Sequence, residues 1–392
     1  MLNEISLSPP FQIAIIGGGQ LGKMMTVAAK QMGFHVTVLD PTPQSPAGQV
    51  ADAQVVAAFD DGEAIRRMAA KARVITYEFE HIDSTSLLKL EEEGHKIFPT
   101  PRVLQVIQNK FTQKQVLQEA GLPLPPFRKT LSTENLEEAA RAYGYPFLAK
   151  SCTGGYDGKG NFLVESPAAL KAAEEFIRGR EVMAEKYVPF IQEISVLTVR
   201  DRKGNIKSYP IVENEHKENI LRKSIVPARI SSRVADRARR VAEEVISVFS
   251  GVGIFCIEMF VTEDEEVLVN EVAPRPHNSG HYTIEACVTS QFEQHIRAIT
   301  GLPLGDTSLL QPAVMINLLG EEGERGGAVM TGCGSALAVP GVSLHFYGKA
   351  LTSPRRKMGH LTVTAATREL ALARAEEAAR SIRVVAVNKG GD

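Results

Sequence analysis

Ile254-Phe-Cys-Ile-Glu-Met-Phe-Val261, Thr262-Glu-Asp-Glu-Glu266 and Val267-Leu-Val-Asn-Glu-Val272 read in succession as a strand, a turn and a returning strand. Glu258 and Glu271 are equidistant from the turn centre between Asp264 and Glu265. A simple hairpin therefore makes them direct cross-strand neighbours, with Cβ atoms roughly 5 Å apart. Two carboxylates so placed repel, and the residues around them are too apolar for a ribbon left in solvent. A cation between them resolves the conflict, and carboxylate oxygens completed by a polyphosphate are a usual cradle for Mg2+. Glu258 and Glu271 are thus the candidate metal ligands. The chain runs straight on into Ala273-Pro-Arg-Pro-His-Asn278, which places Arg275, His277 and Asn278 beside the pair.

Upstream, Lys150 ends a predicted strand and is followed by Ser151-Cys-Thr-Gly-Gly-Tyr-Asp-Gly-Lys-Gly160. Its glycines let backbone N–H groups approach phosphate oxygens without side-chain clash, and Lys150 and Lys159 supply neutralising charge. The Walker pattern G-x-x-x-x-G-K-[ST] is absent, so the grip expected here is a strand-loop-strand lid suited to a triphosphate. Nearer the N-terminus, an apolar run ending at Ile16, the loop Gly17-Gly-Gly-Gln-Leu-Gly22, a helix from Lys23 to Met32 and a strand from His35 to Leu39 form a βαβ unit. This loop and Asp40 match a dinucleotide fingerprint, which taken alone favours a nicotinamide or flavin enzyme. A helix N-terminus accepts any phosphate, however, so the ligand of this loop stays open.

The chain has 392 residues, 44% hydrophobic and 23% charged, which suits a globular protein of two or three domains. Its 44 basic and 46 acidic residues leave a net charge of −2, so no global field recruits nucleic acid or membrane. The four cysteines have no metal-ligand spacing, and no window approaches a membrane span; both point to a cytoplasmic protein with reduced thiols. The expected fold is α/β and α+β in several domains. Strands at Val55 to Phe59 and Arg73 to Glu78 extend the N-terminal doubly wound unit. A helix from Arg102 to Ala120 leads into the proline-rich Leu122-Pro-Leu-Pro-Pro126, and a small α+β unit follows to Tyr187. From Glu193 onward the pattern is antiparallel: strands Ile194 to Arg200 and Lys207 to Val212, a helix from Ser232 to Ser250 and another from Thr283 to Thr300. Short strands at Ala336 to Val339, Leu344 to Tyr347 and Leu361 to Ala365 and a helix from Arg368 to Ile382 end the chain.

Three runs, Gly154-Gly-Tyr-Asp-Gly-Lys-Gly160, Glu185-Lys-Tyr-Val188 and Asn270-Glu-Val-Ala-Pro-Arg-Pro-His-Asn-Ser-Gly-His281, resemble the ATP-grasp superfamily. More narrowly, from Gly17 to beyond Gly359, the chain is similar to the N5-carboxyaminoimidazole ribonucleotide synthetases of purine biosynthesis. The resemblance implies a Rossmann-like pre-ATP-grasp domain over 1–105, a lid over 106–190, a central ATP-grasp domain over 191–325 and a small β-rich C-terminal domain over 326–392. It implies an ATP site of Lys110, Lys150, Gly155, Tyr156, Asp157, Gly158, Lys159, Gly160, Asn161, Glu185, Lys186, Tyr187, Val188, Glu193, His216, Asn270 and Glu271, with Mg2+ (or Mn2+) on Glu258 and Glu271. Arg275, His277 and Asn278 would hold bicarbonate and, with Lys159 and Asp157, form the catalytic set. Gln20, Leu21, Glu78, Tyr156, Lys349, Arg356 and Lys357 would bind 5-aminoimidazole ribonucleotide. Lys110 and Lys159 stand where arginine is usual, so a two-pronged phosphate contact becomes a point charge. Glu78 and Glu80 share a face if the strand is extended, and the sequence leaves open which of them faces the substrate. A homodimer and a separate mutase receiving the product are also implied. Rival readings are another ATP-grasp ligase, either a formate-dependent glycinamide ribonucleotide transformylase or a biotin carboxylase, and a nicotinamide-dependent dehydrogenase.

Overall fold

The structure, a computed structural model, describes residues 9, 11–155 and 160–387. Tyr156, Asp157, Gly158 and Lys159 of the expected site lie outside the described residues. The N-terminal unit is a four-stranded parallel sheet in the order Ala53–Val55, His35–Leu39, Gln12–Ile16, Val74–Tyr77. Strands Gln12–Ile16 and Val74–Tyr77 are buried over almost their whole length, as parallel strands covered on both faces must be. Helix Gln20–Gln31 starts at the first glycine loop and packs Leu21, Met24 and Met25 against Ile13 and Ile15.

A second, antiparallel sheet orders Phe127–Thr130, Val182–Lys186, Phe147–Ser151 and Asn161–Val164. Helices Thr133–Tyr143 and Leu170–Ile177 complete its core, in which Leu136, Phe147, Val164, Ala173 and Val182 are buried. The third sheet has nine strands. Its path runs Val267–Ala273, Gly253–Thr262, Phe190–Arg200, Val212–Lys217, Ile220–Val226, Ala313–Leu319, Lys357–Thr364 and Val342–Phe346, with Ile206–Ser208 alongside Phe190–Arg200. Helix Ser232–Phe249 covers one face, burying Val234, Val241, Val245 and Ile246 on Ile257, Met259 and Val269. The opposite face, with Glu258, looks into the cleft. Because Ala313–Leu319, Lys357–Thr364 and Val342–Phe346 join this sheet, the hydrogen-bonded ladder is continuous across the expected boundary at 325/326.

Several local expectations are corrected. The stretch 102–120 is two helices, Pro101–Gln108 and Lys110–Glu119, because Asn109 is extended and its side chain accepts from the backbone N–H groups of Phe111 and Thr112 at 3.0 and 3.1 Å. The same N-cap logic at Ser290 divides 283–300 into Thr283–Ala286 and Gln291–Thr300. Residues 207–212 belong to two strands, residues 55–59 contribute only the end of Ala53–Val55, and 336–339 lies at the end of helix Cys333–Leu337. Strands Ala313–Leu319, Gly326–Thr331 and Arg383–Val387 are additional to those expected, although the β-branched residues of Arg383–Val387 were a signal for one.

The Asn109 cap sets Lys110 at the first position of its helix, with the Lys110 N–H donating to the Cys152 carbonyl at 2.8 Å. Asn109→Ala is expected to lower stability by about 1 kcal/mol, as loss of a side-chain cap does, measured as a shift in the urea midpoint at unchanged slope.

Candidate functional site

The three units surround one cleft of about 1040 Å³. Its floor is the predicted hairpin, with one refinement. Residues Val261 and Val267 pair across a turn centred on Asp264, a register that would offset Glu258 from Glu271 by one residue. A β-bulge between Glu258 and Met259, opposite Asn270, restores the Glu258–Glu271 pairing. The extra residue turns both Asn270 and Glu271 toward the cleft, while Val269 and Val272 stay in the core.

The like charges are met by one cation from a distant part of the chain and by a neighbouring imidazole. Lys110 donates to Glu271 at 2.8 Å, and His277 Nε2 lies 3.5 Å from Glu258. Burial, set against the charge of His216 and reinforced by Glu271 and Glu193, pushes the Glu258 carboxyl up to about 7. Burial would raise Glu271 as well, but the charge and hydrogen bond of Lys110 bring it below its ordinary range. His216 bonds Glu193; burial lowers its pKa, and the Glu193 hydrogen bond and charge more than compensate, so it is raised overall. His277 is held well below its ordinary value by burial and by Arg275 and Lys357, so its ring is neutral. The Asn278 side chain is 9% exposed, and neither its nitrogen nor its oxygen has a protein partner. That is a polar group buried at the cleft wall and lacking an acceptor and a donor.

The lid contributes a second charged group. Glu185 is 1% exposed and is paired with Lys150 and, at 2.8 Å, with Lys114. Burial alone would raise it, and the two lysines bring it down to about 2. Lys150 Nζ in turn stands 3.4 Å from Asn270 Oδ1, so the lid strand and the hairpin meet at this ammonium. Gly155 and Gly160 approach so closely that a Cβ on Gly155 would lie 3.1 Å from the Gly160 Cα. The loop's two ends therefore tolerate only glycine there without a shift.

The first glycine loop has an internal ligand. Glu78 accepts from the Gly19 N–H and, at 2.6 Å, from the Gly22 N–H, and Asp40 accepts from Gly18 at 2.8 Å. The backbone donors that would hold a dinucleotide pyrophosphate are thus taken, and Asp40 is turned into the loop; this removes the dehydrogenase reading. Glu78 and Glu80 follow strand Val74–Tyr77, and both face inward, since Glu80 lies 2.8 Å from Arg275.

Of the expected residues, the cleft is lined by Gln20, Leu21, Glu78, Lys110, Lys150, Gly155, Gly160, Asn161, Tyr187, Glu193, His216, Glu258, Asn270, Glu271, Arg275, His277, Asn278 and Lys357. Lys186 and Val188 do not line it, nor does the Glu185 carboxylate, which turns to the lysines. Lys349 and Arg356 lie beyond its rim: Lys349 donates to the Lys357 carbonyl at 2.8 Å and Arg356 to the Leu351 carbonyl at 2.8 Å. Burial and the charge of Arg356 lower Lys349 to about 8. Residues not foreseen are Lys114 and the stacked pair Phe190 and Phe260, whose ring centroids are 4.6 Å apart on the cleft wall. The alternation from Glu258 puts Phe260 on the same face, a signal the sequence did carry.

A lid and a central sheet that clamp a lysine-lined, acid-floored cleft define an ATP-grasp protein, and the ATP-grasp domain family matches residues 115–292. The ribonucleotide synthetase preATP-grasp domain matches 11–108 and the phosphoribosylaminoimidazole carboxylase C-terminal domain 313–374. The chain is 45% identical over 355 residues to the N5-carboxyaminoimidazole ribonucleotide synthase of Bacillus subtilis, covering 90% of this chain and 91% of that one. The crystal structure of the Thermotoga maritima synthetase matches with a TM-score of 0.89 at 51% identity, over 96% of this chain and all (100%) of that one. The Aspergillus clavatus synthase in complex with ADP and 5-aminoimidazole ribonucleotide matches with a TM-score of 0.88 at 36% identity, over 95% and 98%. The phosphoribosylaminoimidazole carboxylases it also matches are longer, and the chain spans about two thirds of their length. The chain belongs to the N5-carboxyaminoimidazole ribonucleotide synthase family.

With no metal present, Glu258 is a destabilising residue above neutrality. Its folded-state pKa of about 7 exceeds the ordinary 4.5, so the fold loses stability as pH rises between these values. Glu258→Gln is expected to stabilise the metal-free protein by about 2–3 kcal/mol at pH 8, with the gain shrinking toward pH 5. Thermal unfolding in EDTA across that range is the measurement, and a gain independent of pH would refute the assignment.

Proposed function

We infer that the chain catalyses the ATP-dependent carboxylation of 5-aminoimidazole ribonucleotide to N5-carboxyaminoimidazole ribonucleotide in purine biosynthesis. The observation that carries the reading is the single cleft in which the lid lysine Lys150, the paired Glu258 and Glu271, and the Arg275-Pro-His-Asn278 run converge on the Gln20, Glu78 and Lys357 end.

ATP would lie between lid and sheet. The hinge Glu185 to Val188 would present backbone groups to the adenine, with Tyr187, Phe190 and Phe260 as an apolar wall, and Glu193, oriented by His216, would take the ribose hydroxyls. Lys110 and Lys150 would bind phosphate oxygens, with Gly155 to Asn161 closing over them. Glu258 and Glu271 fit a hard divalent cation: they are oxygen donors, directly paired, and the Glu258 carboxyl is raised by burial and by the neighbouring carboxylates. Among the described residues no group of three or more acidic, His or Cys side chains could hold a metal alone, so the nucleotide's phosphates would complete the shell. Mg2+, or Mn2+ in its place, would supply charge neutralisation to the polyphosphate.

Arg275, His277 and Asn278 would orient bicarbonate, the unpartnered Asn278 amide and the His277 Nε2 proton serving as its contacts. Bicarbonate oxygen then attacks the γ-phosphorus in line, releasing ADP and leaving carboxyphosphate. The bond from its carbon to the phosphorus-bound oxygen breaks with loss of inorganic phosphate, either as the exocyclic amine of the ribonucleotide attacks the carboxyl carbon or on prior release of CO2 that the amine then captures, the amine losing a proton. Closure of the lid, with Asp157 and Lys159 of its loop in the catalytic set, excludes the water that would destroy this intermediate. Gln20, Leu21, Glu78 and Tyr156 would bind the ribonucleotide, and Lys349, Arg356 and Lys357 its 5′-phosphate. A homodimer, a cytoplasmic location and release of product to a separate mutase complete the proposal. They rest on the family resemblance and, for the location, on four cysteines that are all free thiols.

ADP release is expected to require both bicarbonate and the ribonucleotide, with formate inactive. Glu271→Gln is expected to lower turnover about 100-fold or more while the unfolding midpoint stays near wild type. ATP hydrolysis indifferent to the ribonucleotide would overturn the reading.

A further inference from the structure

Beneath the cleft floor, a line of buried polar side chains crosses the central sheet. The Ser224 hydroxyl donates to Asn214 Oδ1 at 3.0 Å, Asn214 Nδ2 donates to Ser195 Oγ at 2.9 Å, and the Ser195 hydroxyl donates to Ser279 Oγ at 2.8 Å. Ser279 Oγ lies 3.0 Å from His277 Nδ1, and the Ser279 backbone N–H donates to the same nitrogen at 3.3 Å. Ser195, Ser224 and Ser279 have no exposure, and Asn214 is 6% exposed. Around them the sheet face is apolar, with Leu197, Val212 and Leu221 in one buried cluster. Replacing both partners of a buried hydrogen bond by apolar groups of like shape can be nearly neutral, so sheet stability is a weak reason for four polar side chains here.

The direction of the line is read from one end. A backbone N–H can only donate, so the long 3.3 Å contact from Ser279 favours an unprotonated His277 Nδ1 without by itself enforcing it. A Ser279 lone pair aimed at that nitrogen from 3.0 Å would repel it, so the Ser279 hydroxyl donates there too. Its oxygen is then free to accept from Ser195, whose oxygen accepts from Asn214, whose carbonyl accepts from Ser224. Every member is satisfied in this sense, and reversing any one breaks the next. The register sets the members side by side: Asn214 faces Ser224 across one strand pair, and Ser195 faces Glu258 across another.

We propose that Ser224, Asn214, Ser195 and Ser279 are positioning residues that lock His277 as the Nε2–H tautomer, so that it presents a proton donor to the anion bound in the cleft. The inference deepens the reading of His277 as a bicarbonate contact and rests on it for its functional consequence. With the opposite tautomer, an Nε2 lone pair would face both Glu258, 3.5 Å away, and the bicarbonate oxygen. The line thus matters to the substrate and not only to the fold.

The test is 15N spectroscopy of the histidine rings in the full-length protein, with His277 assigned by its loss in His277→Gln. In the wild type, Nδ1 is expected at the position of an unprotonated ring nitrogen and Nε2 at that of a protonated one. Protonated Nδ1 would overturn the proposal whatever the activity, and this arm needs no folded variant of the line itself. Asn214→Asp keeps the shape, but its carboxylate accepts from both Ser224 and Ser195 and so turns the Ser195 proton away from Ser279. The variant is expected to raise KM for bicarbonate about tenfold, to leave KM for ATP within about twofold, and to shift His277 toward mixed tautomers. A folded variant with unchanged bicarbonate KM and unchanged His277 signals would sink the proposal. Wild-type protein with the expected tautomer and no bicarbonate dependence would instead count against the function proposed above.

Discussion

Two carboxylates on facing strands are the constraint around which the molecule is arranged. At roughly 5 Å and an effective dielectric near 20, their repulsion is about 3 kcal/mol, a sizeable part of a domain's net stability. The fold offsets it with positive groups drawn from separate segments: Lys110 from a helix start, His216 from the strand beyond Phe190–Arg200 in the same sheet and Arg275 from the run that follows. Glu258 remains under-compensated and is shifted up to about 7. The residue whose burial weakens the empty fold is the one that a bound cation would relieve.

A related economy of charge governs the first glycine loop and the lid. In the first glycine loop, Glu78 and Asp40 take the backbone donors that a phosphate would otherwise occupy, so the helix N-terminus is satisfied from within and Gln20, Leu21 and Glu78 line one end of the cleft. Burial dominates at Glu78 and raises its pKa, against the hydrogen bonds from Gly22 and Gly19. In the lid, Glu185 is buried between Lys114 and Lys150. Such a cluster is weak support for stability, because desolvation consumes most of the Coulomb gain. What it does is fix the Lys150 ammonium beside Asn270, and so fix the height of the lid lysine over the cleft floor.

Local chemistry made some features readable from the chain. The hairpin, the strand-loop-strand lid and the βαβ opening each rest on residues within about thirty positions of one another. Elements that were misread failed for equally local reasons. A side-chain cap at Asn109 interrupts a helical pattern that apolar spacing continues, and the short strands near the C-terminus are too brief for a period of two to be told from a buried helical turn. The pairing of Glu258 with Glu271 was legible, yet the register that achieves it depends on a bulge at Asn270 that no spacing argument contained.

The sequence by itself determined that two acids face each other across a hairpin, that a glycine-rich, lysine-bearing stretch links two strands, and which family these motifs resemble, because each follows from residue types in close succession. Only the tertiary structure decided which carboxylate fills the first glycine loop, which lysine neutralises Glu271, that Lys114 and Lys150 share Glu185, and that a polar line from Ser224 ends on His277. Those outcomes depend on side chains that are tens to hundreds of residues apart, and their contacts exist only once the sheets have fixed every strand's neighbour and facing.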